Sequence, residues 1–418
     1  MATMTKTAAR VLGQAVSVAL LSATAAAAVQ AAETERSFEI YGFAQADAIY
    51  DFGRMNPDWD DAYRPSKIAN PEGFYGSDGQ ASVSVKQSRF GIKGTMPTAE
   101  GHDPIIFKFE FDLFGVGSDA GQTTFRLRHA YGEWGSLLAG QTNSIFMDID
   151  VFPNVIDYWG PDGMVFWHNV QIRWTPWKTE HSSFAIGIEE PSNDIDTGQI
   201  RQFDPVLGEN IQSDDKVPNL AAHWNTSGDW GHVQVAGILR DLGYDTKETQ
   251  NNKPKGSVTG WGVNLSGSIN VFEKDKILLQ YVYGHGIASY MNDGGMDMAP
   301  QGRLPAGADP GNVKAEAVPL TGIVAYYDHY WNSEFSTSFG YSTTFVDNTN
   351  LQSLQTPETP EGTYKSGQYA SANLLYTPVP NVMIGGEVIW GDLEVKGGDT
   401  QDDVRVQFSV KYSWGKTF

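Results

Sequence analysis

The 418-residue chain contains no cysteine. That excludes a disulfide framework, thiolate zinc sites, iron–sulfur clusters and thiol nucleophiles. Basic residues are scarce: 29 Lys and Arg stand against 50 Asp and Glu, a formal charge of −21. Nucleic-acid binding rests on a basic surface, so that class is excluded too. After the N-terminal segment no run reaches ~18 apolar residues, so no transmembrane helix is expected. Hydrophobic residues make up only 40% of the chain. Disorder does not account for this, because aromatics reach 12% and disordered chains are poor in them. Glycine, by contrast, is abundant at 45 residues. For a soluble protein this is an odd composition.

The N-terminus reads as an address. Lys6 and Arg10 precede a run rich in Ala, Val and Leu from Val11 to Ala28, which Gln14, Ser17, Ser22 and Thr24 dilute. Small residues at Val29-Gln30-Ala31 follow, then Glu33 and Glu35. Residues 1–31 are therefore expected to be a secretory signal peptide, cleaved after Ala31 or Ala32.

From residue 32 onward the chain alternates. In the last segment Val404, Val406, Phe408, Val410, Tyr412 and Trp414 alternate with Arg405, Gln407, Ser409, Lys411 and Ser413. Period-2 alternation puts one face against an apolar phase and the other against water. The length suits a tilted membrane-crossing strand of ~9–11 residues rather than a sandwich strand of about five or six. Similar alternation begins at Phe38 and recurs around Phe107, Phe125, Ile186, Val263, Phe339 and Val388. The parity switches between Val83-Val85 and Phe90-Ile92, which marks a bulge in 81–95. Segments 136–144 and 318–331 are ambiguous.

Connections point the same way. Short turns near 96–103, 133–136, 175–182, 226–230, 272–276, 331–334 and 377–381 alternate with long loops near 52–79, 114–122, 145–164, 191–216, 243–257, 285–317, 346–366 and 394–403. Such an alternation joins sixteen strands. Outer-membrane barrels combine an even strand number with tight periplasmic turns and long external loops. Trp134, Trp177, Trp230, Phe272, Trp331 and Tyr376 gather at the turns, as an interfacial aromatic girdle does. The expected fold is one all-β, sixteen-stranded antiparallel transmembrane barrel over 32–418, in the outer membrane of a Gram-negative bacterium, with loop 145–164 folded inward as a constriction.

Several segments resemble a known family. They are Tyr41-Gly42-Phe43-Ala44-Gln45-Ala46-Asp47-Ala48, Met55-Asn56-Pro57-Asp58-Trp59, Ser88-Arg89-Phe90-Gly91-Ile92-Lys93-Gly94 and Arg126-Leu127-Arg128-His129-Ala130-Tyr131. Leu138-Ala139-Gly140-Gln141-Thr142, Phe146-Met147-Asp148, Gly160-Pro161-Asp162-Gly163, Gln171-Ile172-Arg173-Trp174 and Arg240-Asp241-Leu242-Gly243-Tyr244 continue the series. Together they are similar to DcaP-like porins, most densely from 38 to 175. The resemblance implies a trimeric outer-membrane channel favouring dicarboxylates and related small anions. Some members carry an N-terminal helical stalk, which is expected to be absent here because only a few residues separate the expected cleavage site from the first strand.

Pores select by radius and by the charge lining their constriction. If Phe125, Leu127, Ile172 and Trp174 face lipid, then Arg126, Arg128 and Arg173 face the lumen. Arg89 and Lys93 lie opposite Phe90 and Ile92 in the same way. These five cations form an expected basic ladder. The loop acids Asp148 and Asp150 are expected to line the pore opposite it, or to anchor the loop. Lys108, Glu110 and Asp112 share a face and can neutralise one another. His129 has the parity of Phe125 and Leu127, which places it outward, at a subunit interface. The Gly-rich stretch 284–295 reads as external loop. The eight His form no convincing metal cluster, and no catalytic set emerges, so no cofactor, metal or enzymatic activity is expected. Expected partners are small anionic solutes, outer-membrane lipid, lipopolysaccharide and two further copies of the chain. The alternatives are a sugar-selective or general porin. An outer-membrane enzyme and a soluble all-β protein are disfavoured, and the chain is too short for an energy-coupled receptor with a plug.

Overall fold

The computed structural model describes residues 36–115, 123–247, 251–357 and 359–418. The expected signal peptide, 1–31, lies outside the described residues, as does 116–122 of the second long loop. Sixteen antiparallel strands close into one barrel. The first eight are β1 (Ser37–Asp51), β2 (Gln80–Ser84 and Arg89–Met96), β3 (Ile105–Asp112), β4 (Arg126–Trp134), β5 (Leu137–Asn143), β6 (His168–Lys178), β7 (Ser182–Glu189) and β8 (Asn219–Gly228). The others are β9 (Gly231–Asp245), β10 (Gly256–Val271), β11 (Asp275–His285), β12 (Pro319–Tyr330), β13 (Phe335–Val346), β14 (Tyr364–Tyr376), β15 (Val382–Val395) and β16 (Thr400–Thr417). β16 pairs with β1 from Glu39↔Thr417 to Asp51↔Arg405, so the sheet closes on itself. Hydrocarbon tolerates strands only in that closed form.

The faces are partitioned as alternation requires. Along β16, Arg405, Gln407 and Ser409 are buried inside, while Val406, Phe408, Tyr412 and Trp414 are exposed outside. Trp134, Trp177, Trp230, Phe272 and Trp331 stand exposed beside the short turns. The long-loop pattern fails once. The connection expected at 394–403 is a tight one of residues 396–399, because β15 and β16 pair as far as Glu394↔Thr400.

Two irregularities decide which way side chains point. β1 residues Phe43 and Asp47 oppose Arg89 and Ser84, so β2 carries one extra residue between its halves. That is the bulge behind its parity switch. A second shift lies in the β3–β4 pairing, where Glu110 opposes His129 but Phe111 opposes Leu127. Arg128 and His129 are therefore both buried. The outward placement expected for His129 is corrected: the bulge turns it inward, where its Nδ1 lies 2.9 Å from the Thr142 hydroxyl.

β12 was ambiguous because both its faces are apolar. Ile323 is exposed outside, whereas Leu320, Val324 and Tyr326 are buried inside. Their inner neighbours belong to the segment between β5 and β6. Ile145, Phe146, Met147, Val151, Met164 and Val165 are buried against the inner faces of β8, β9, β11, β12, β14 and β15. The Gly-rich segment after β11 is likewise not merely external: Ile287, Ala288, Tyr290 and Met291 are buried in the same cluster.

Candidate functional site

The segment 144–167 is an inward-folded constriction loop, and its course can be followed from its contacts. Glu189 on β7 accepts from the Ile145 amide at 2.6 Å and from the Ser144 hydroxyl at 2.9 Å. Asn264 on β10 and Gln234 on β9 donate to the Phe146 and Met147 carbonyls at 3.0 Å. Glu387 on β15 accepts from the amides of Ile156 and Asp157 at 2.9 and 2.8 Å. On the return, Ser342 on β13 donates to Asp162, and Gln280 on β11 donates to the Gly163 carbonyl at 3.0 Å. At Gly163 the backbones nearly touch: an added Cβ would lie 2.4 Å from the Thr343 carbonyl and 2.5 Å from that of Ile323. Each fully buried aliphatic or Met side chain contributes ~1.5–3 kcal/mol, against ~1 kcal/mol for a typical hydrogen bond. Adhesion of the loop is therefore mainly apolar, and the polar contacts fix its register.

The loop covers the wall from β7 to β15. On the rest of the wall, from β2 to β4, the loop makes fewer contacts, through Tyr158 and Ile156, and there the cations gather. Glu110 is contacted by Arg89 at 3.4 Å, Lys108 at 3.2 Å and Arg128 at 3.1 Å. Tyr41 donates its hydroxyl to the same carboxylate at 2.7 Å. Asp112 is contacted by Arg126 at 2.9 Å and Arg128 at 3.1 Å. Four cations thus share two carboxylates. Lys93 stands apart and half-exposed, paired with Glu39 at 3.2 Å. Arg173 lies on the inner face of β6 between exposed Ile172 and Trp174, with no hydrogen bond or ion pair among the described residues. Lys411 of β16 lies 5.3 Å from the ring of Phe43, and its side chain makes no hydrogen bond or ion pair among the described residues. Sequence reasoning did not single it out, although its alternation phase in β16 was the available signal.

The loop acids are placed differently from the expectation of an acidic face opposite the ladder. Asp148 is buried on the far wall, where it accepts from Ser266 on β10 at 2.6 Å and lies 2.9 Å from His232 Nε2 on β9. It caps the short turn 149–151 by accepting from the Asp150 amide at 3.1 Å. Asp150 itself is exposed. The reason is local: as the turn's cap, Asp148 faces the wall that the turn packs on. Asp148, Asp150 and His232 bring ligand-type atoms within 4.8 Å of one another. The His232–Asp148 bond and the cap account for that grouping as a loop anchor.

Asp157 and Asp162 are also turned away from the ladder. Asp157 accepts from the Tyr63 amide at 2.9 Å. Burial pushes its carboxyl up to about 6, against the pull of Arg405 and backbone amides. Burial pushes that of Asp162 further, to about 8, against the Ser342 hydroxyl and helped by neighbouring Asp293. A carboxyl raised in the docked loop binds its proton more tightly there than when released. The resulting stabilisation is complete below the ordinary carboxylate range and is lost as pH rises through about 6 and then about 8. Single-channel current noise from loop motion is accordingly expected to rise between about pH 5 and about pH 9. In Asp162→Asn the upper part of that rise should vanish; a rise identical to wild type would contradict the assignment.

Above the constriction lies a cavity of about 1090 Å³. Its lining includes Arg64, Lys67, Arg126, Tyr158, Trp159 and His168. The Arg64 guanidinium sits 4.5 Å from the ring centroids of both Trp59 and Trp159, and pairs with Asp293 at 2.8 Å.

Known proteins share this architecture. The family model described as DcaP outer membrane protein matches residues 12–413. The crystal structure of the outer membrane channel DcaP of Acinetobacter baumannii superposes with a TM-score of 0.72 at 20% identity, covering 92% of this chain and 99% of that one. The anion-selective porin from Comamonas acidovorans gives 0.55 at 10% identity, covering 91% and 100%. The trimer form of OmpT from Vibrio cholerae gives 0.52 at 9% identity, also covering 91% and 100%. At these identities the structural likeness is one of fold. No curated protein matches the chain.

Proposed function

The chain belongs to the DcaP outer membrane protein family, and from that premise we propose that this outer-membrane porin passes small hydrophilic solutes passively and prefers anions, dicarboxylates among them. One observation carries the reading. On the inner wall from β2 to β4, Arg89, Lys108, Arg126 and Arg128 gather around only two carboxylates, Glu110 and Asp112. Guanidinium groups match carboxylates in geometry and replace part of their hydration. Cations at several heights, from Arg126 to Arg173 and Lys93, give a solute with two carboxylates successive partners. Each hold must stay weak enough for release. The excess of acid in the whole chain does not oppose this, because salt screens exposed charges beyond ~10 Å. The working unit we propose is a homotrimer set in outer-membrane lipid and lipopolysaccharide, in keeping with the trimer form of one structural neighbour.

The test is the reversal potential of the purified channel in planar bilayers under a salt gradient. We expect anion selectivity, current block by succinate-like dicarboxylates, and weaker block after Arg126→Ala, Arg128→Ala and Arg173→Ala. Cation selectivity without dicarboxylate block would sink the reading. The aromatics Phe74, Tyr75, Tyr158, Trp159 and Phe166 around the outer cavity favour a second reading, a sugar-selective porin. Block by neutral oligosaccharides, with none by dicarboxylates, would favour that alternative.

A further inference from the structure

We infer that Tyr158 of the constriction loop sets how much of the arginine charge a passing anion meets, by taking up part of the charge of Asp112. The inference rests on the anion-preferring reading and deepens it. Asp112 Oδ2 receives three donors: the Tyr158 hydroxyl at 2.6 Å, Arg126 Nη2 at 2.9 Å and Arg128 Nη1 at 3.1 Å. The other oxygen accepts from the Phe114 amide at 3.1 Å. The tyrosine bond is the shortest of the four and falls in the range of strong O–H···O⁻ bonds.

Two carboxylates on the wall would otherwise hold their arginines closely. A guanidinium whose donors are spent on a fully charged neighbour has little to give a solute. The Tyr158 hydroxyl competes for the same oxygen and loosens that hold. Arg126 gains most. It makes one hydrogen bond to Asp112, and a guanidinium has five N–H donors. Arg126 and Tyr158 both line the outer cavity, which supplies the route by which a solute arrives. Arg128 is committed more deeply, to Glu110, Asp112 and the Tyr158 oxygen.

The tyrosine is held ready for this role. Its ring stacks on Phe114, with centroids 3.7 Å apart and planes at 18°. The Arg126 guanidinium lies 5.1 Å from the ring centroid. Tyr158 follows Asp157, whose amide is tied to Glu387 across the lumen. Docking of the loop on β15 thereby places a neutral donor on β3, so loop position and selectivity are linked. Tyrosine adds no charge, so its removal alters selectivity with the net charge unchanged.

The test uses Tyr158→Phe, which keeps the ring and its stack and deletes only the hydroxyl. The full-length channel is measured in planar bilayers with succinate as the probe. We expect the half-blocking concentration to rise about three- to tenfold and the reversal potential to move toward the cation side, at a comparable conductance. In the Asp112→Asn background the same substitution should change neither quantity, since the carboxylate charge is gone. An unchanged or tighter block in Tyr158→Phe overturns the inference. So does an equal loss in the Asp112→Asn background, which would mean that the ring merely braces the loop. A wild-type channel without anion preference overturns the parent reading; an anion-preferring wild type with an indifferent Phe variant overturns this inference alone.

Discussion

Replacing both Arg126 and Arg173 with Glu is expected to reverse the sign of the reversal potential. Arg89, Lys108, Arg126 and Arg128 outnumber Glu110 and Asp112, and each substitution changes the local charge by two units. At ~4 Å a pair of unit charges interacts by about 1 kcal/mol in water and about 4 kcal/mol near a protein surface. A few such terms suffice to turn preference for anions into preference for cations by an order of magnitude or more. Arg126 and Arg173 are suited to the experiment because neither is fully buried. Asp112 keeps Arg128 and Tyr158 when Arg126 is lost. Arg128 is less suited to a charge reversal, since it is 6% exposed and touches both Glu110 and Asp112, so a Glu there would be buried against two carboxylates. Selectivity that survives the double substitution would show that the ladder does not face the permeation path.

Arg405→Met is expected to cost about 3–5 kcal/mol of barrel stability, the typical effect of stripping one partner from a buried ion pair. Arg405 sits at the seam where β16 closes on β1, directly opposite Asp51 in the register. Its side chain is 0% exposed and bonds Asp51 through Nε at 2.6 Å and Nη2 at 2.9 Å. Nη2 also reaches the Asp60 carbonyl at 2.9 Å, and the guanidinium lies 5.2 Å from the Tyr63 ring centroid. Removal leaves Asp51 buried without its cation, at the one strand pairing that joins the chain's two ends into a closed sheet. Arg405→Lys should recover only part of the loss, because an ammonium cannot reproduce the fork. Urea unfolding of the detergent-solubilised barrel measures both. A Met variant as stable as wild type would show that the seam is held by its backbone ladder alone.

The barrel was legible because its signals are local. In β16 the residues Val406 and Phe408 against Arg405 and Gln407 identify the two faces without knowledge of any partner. The turns are marked by their own lengths and by neighbouring aromatics such as Trp134 and Trp230. Inward cations Arg89, Arg126 and Arg173 follow from the same parity. Local signals misled at His129, because a bulge is defined by the register with the next strand. They were silent at β12, where Val324 and Tyr326 face a loop instead of water.

What the sequence by itself determined is the set of sixteen strands and, away from the bulge at His129 and the two apolar faces of β12, their outer and inner faces, since a bilayer imposes an apolar outside on every strand separately. What only the tertiary structure decided is the pairing of charges. His232 and Asp148 are 84 positions apart, and Arg405 and Asp51 are 354 apart. The same holds for Asp112, whose donors come from the next strand and from the tip of a loop that has crossed the lumen. Alternation tells which residues are inside, but which of them meet depends on barrel closure and on the path of the loop. A buried charge is decided by its nearest partner, and that partner is a property of the fold.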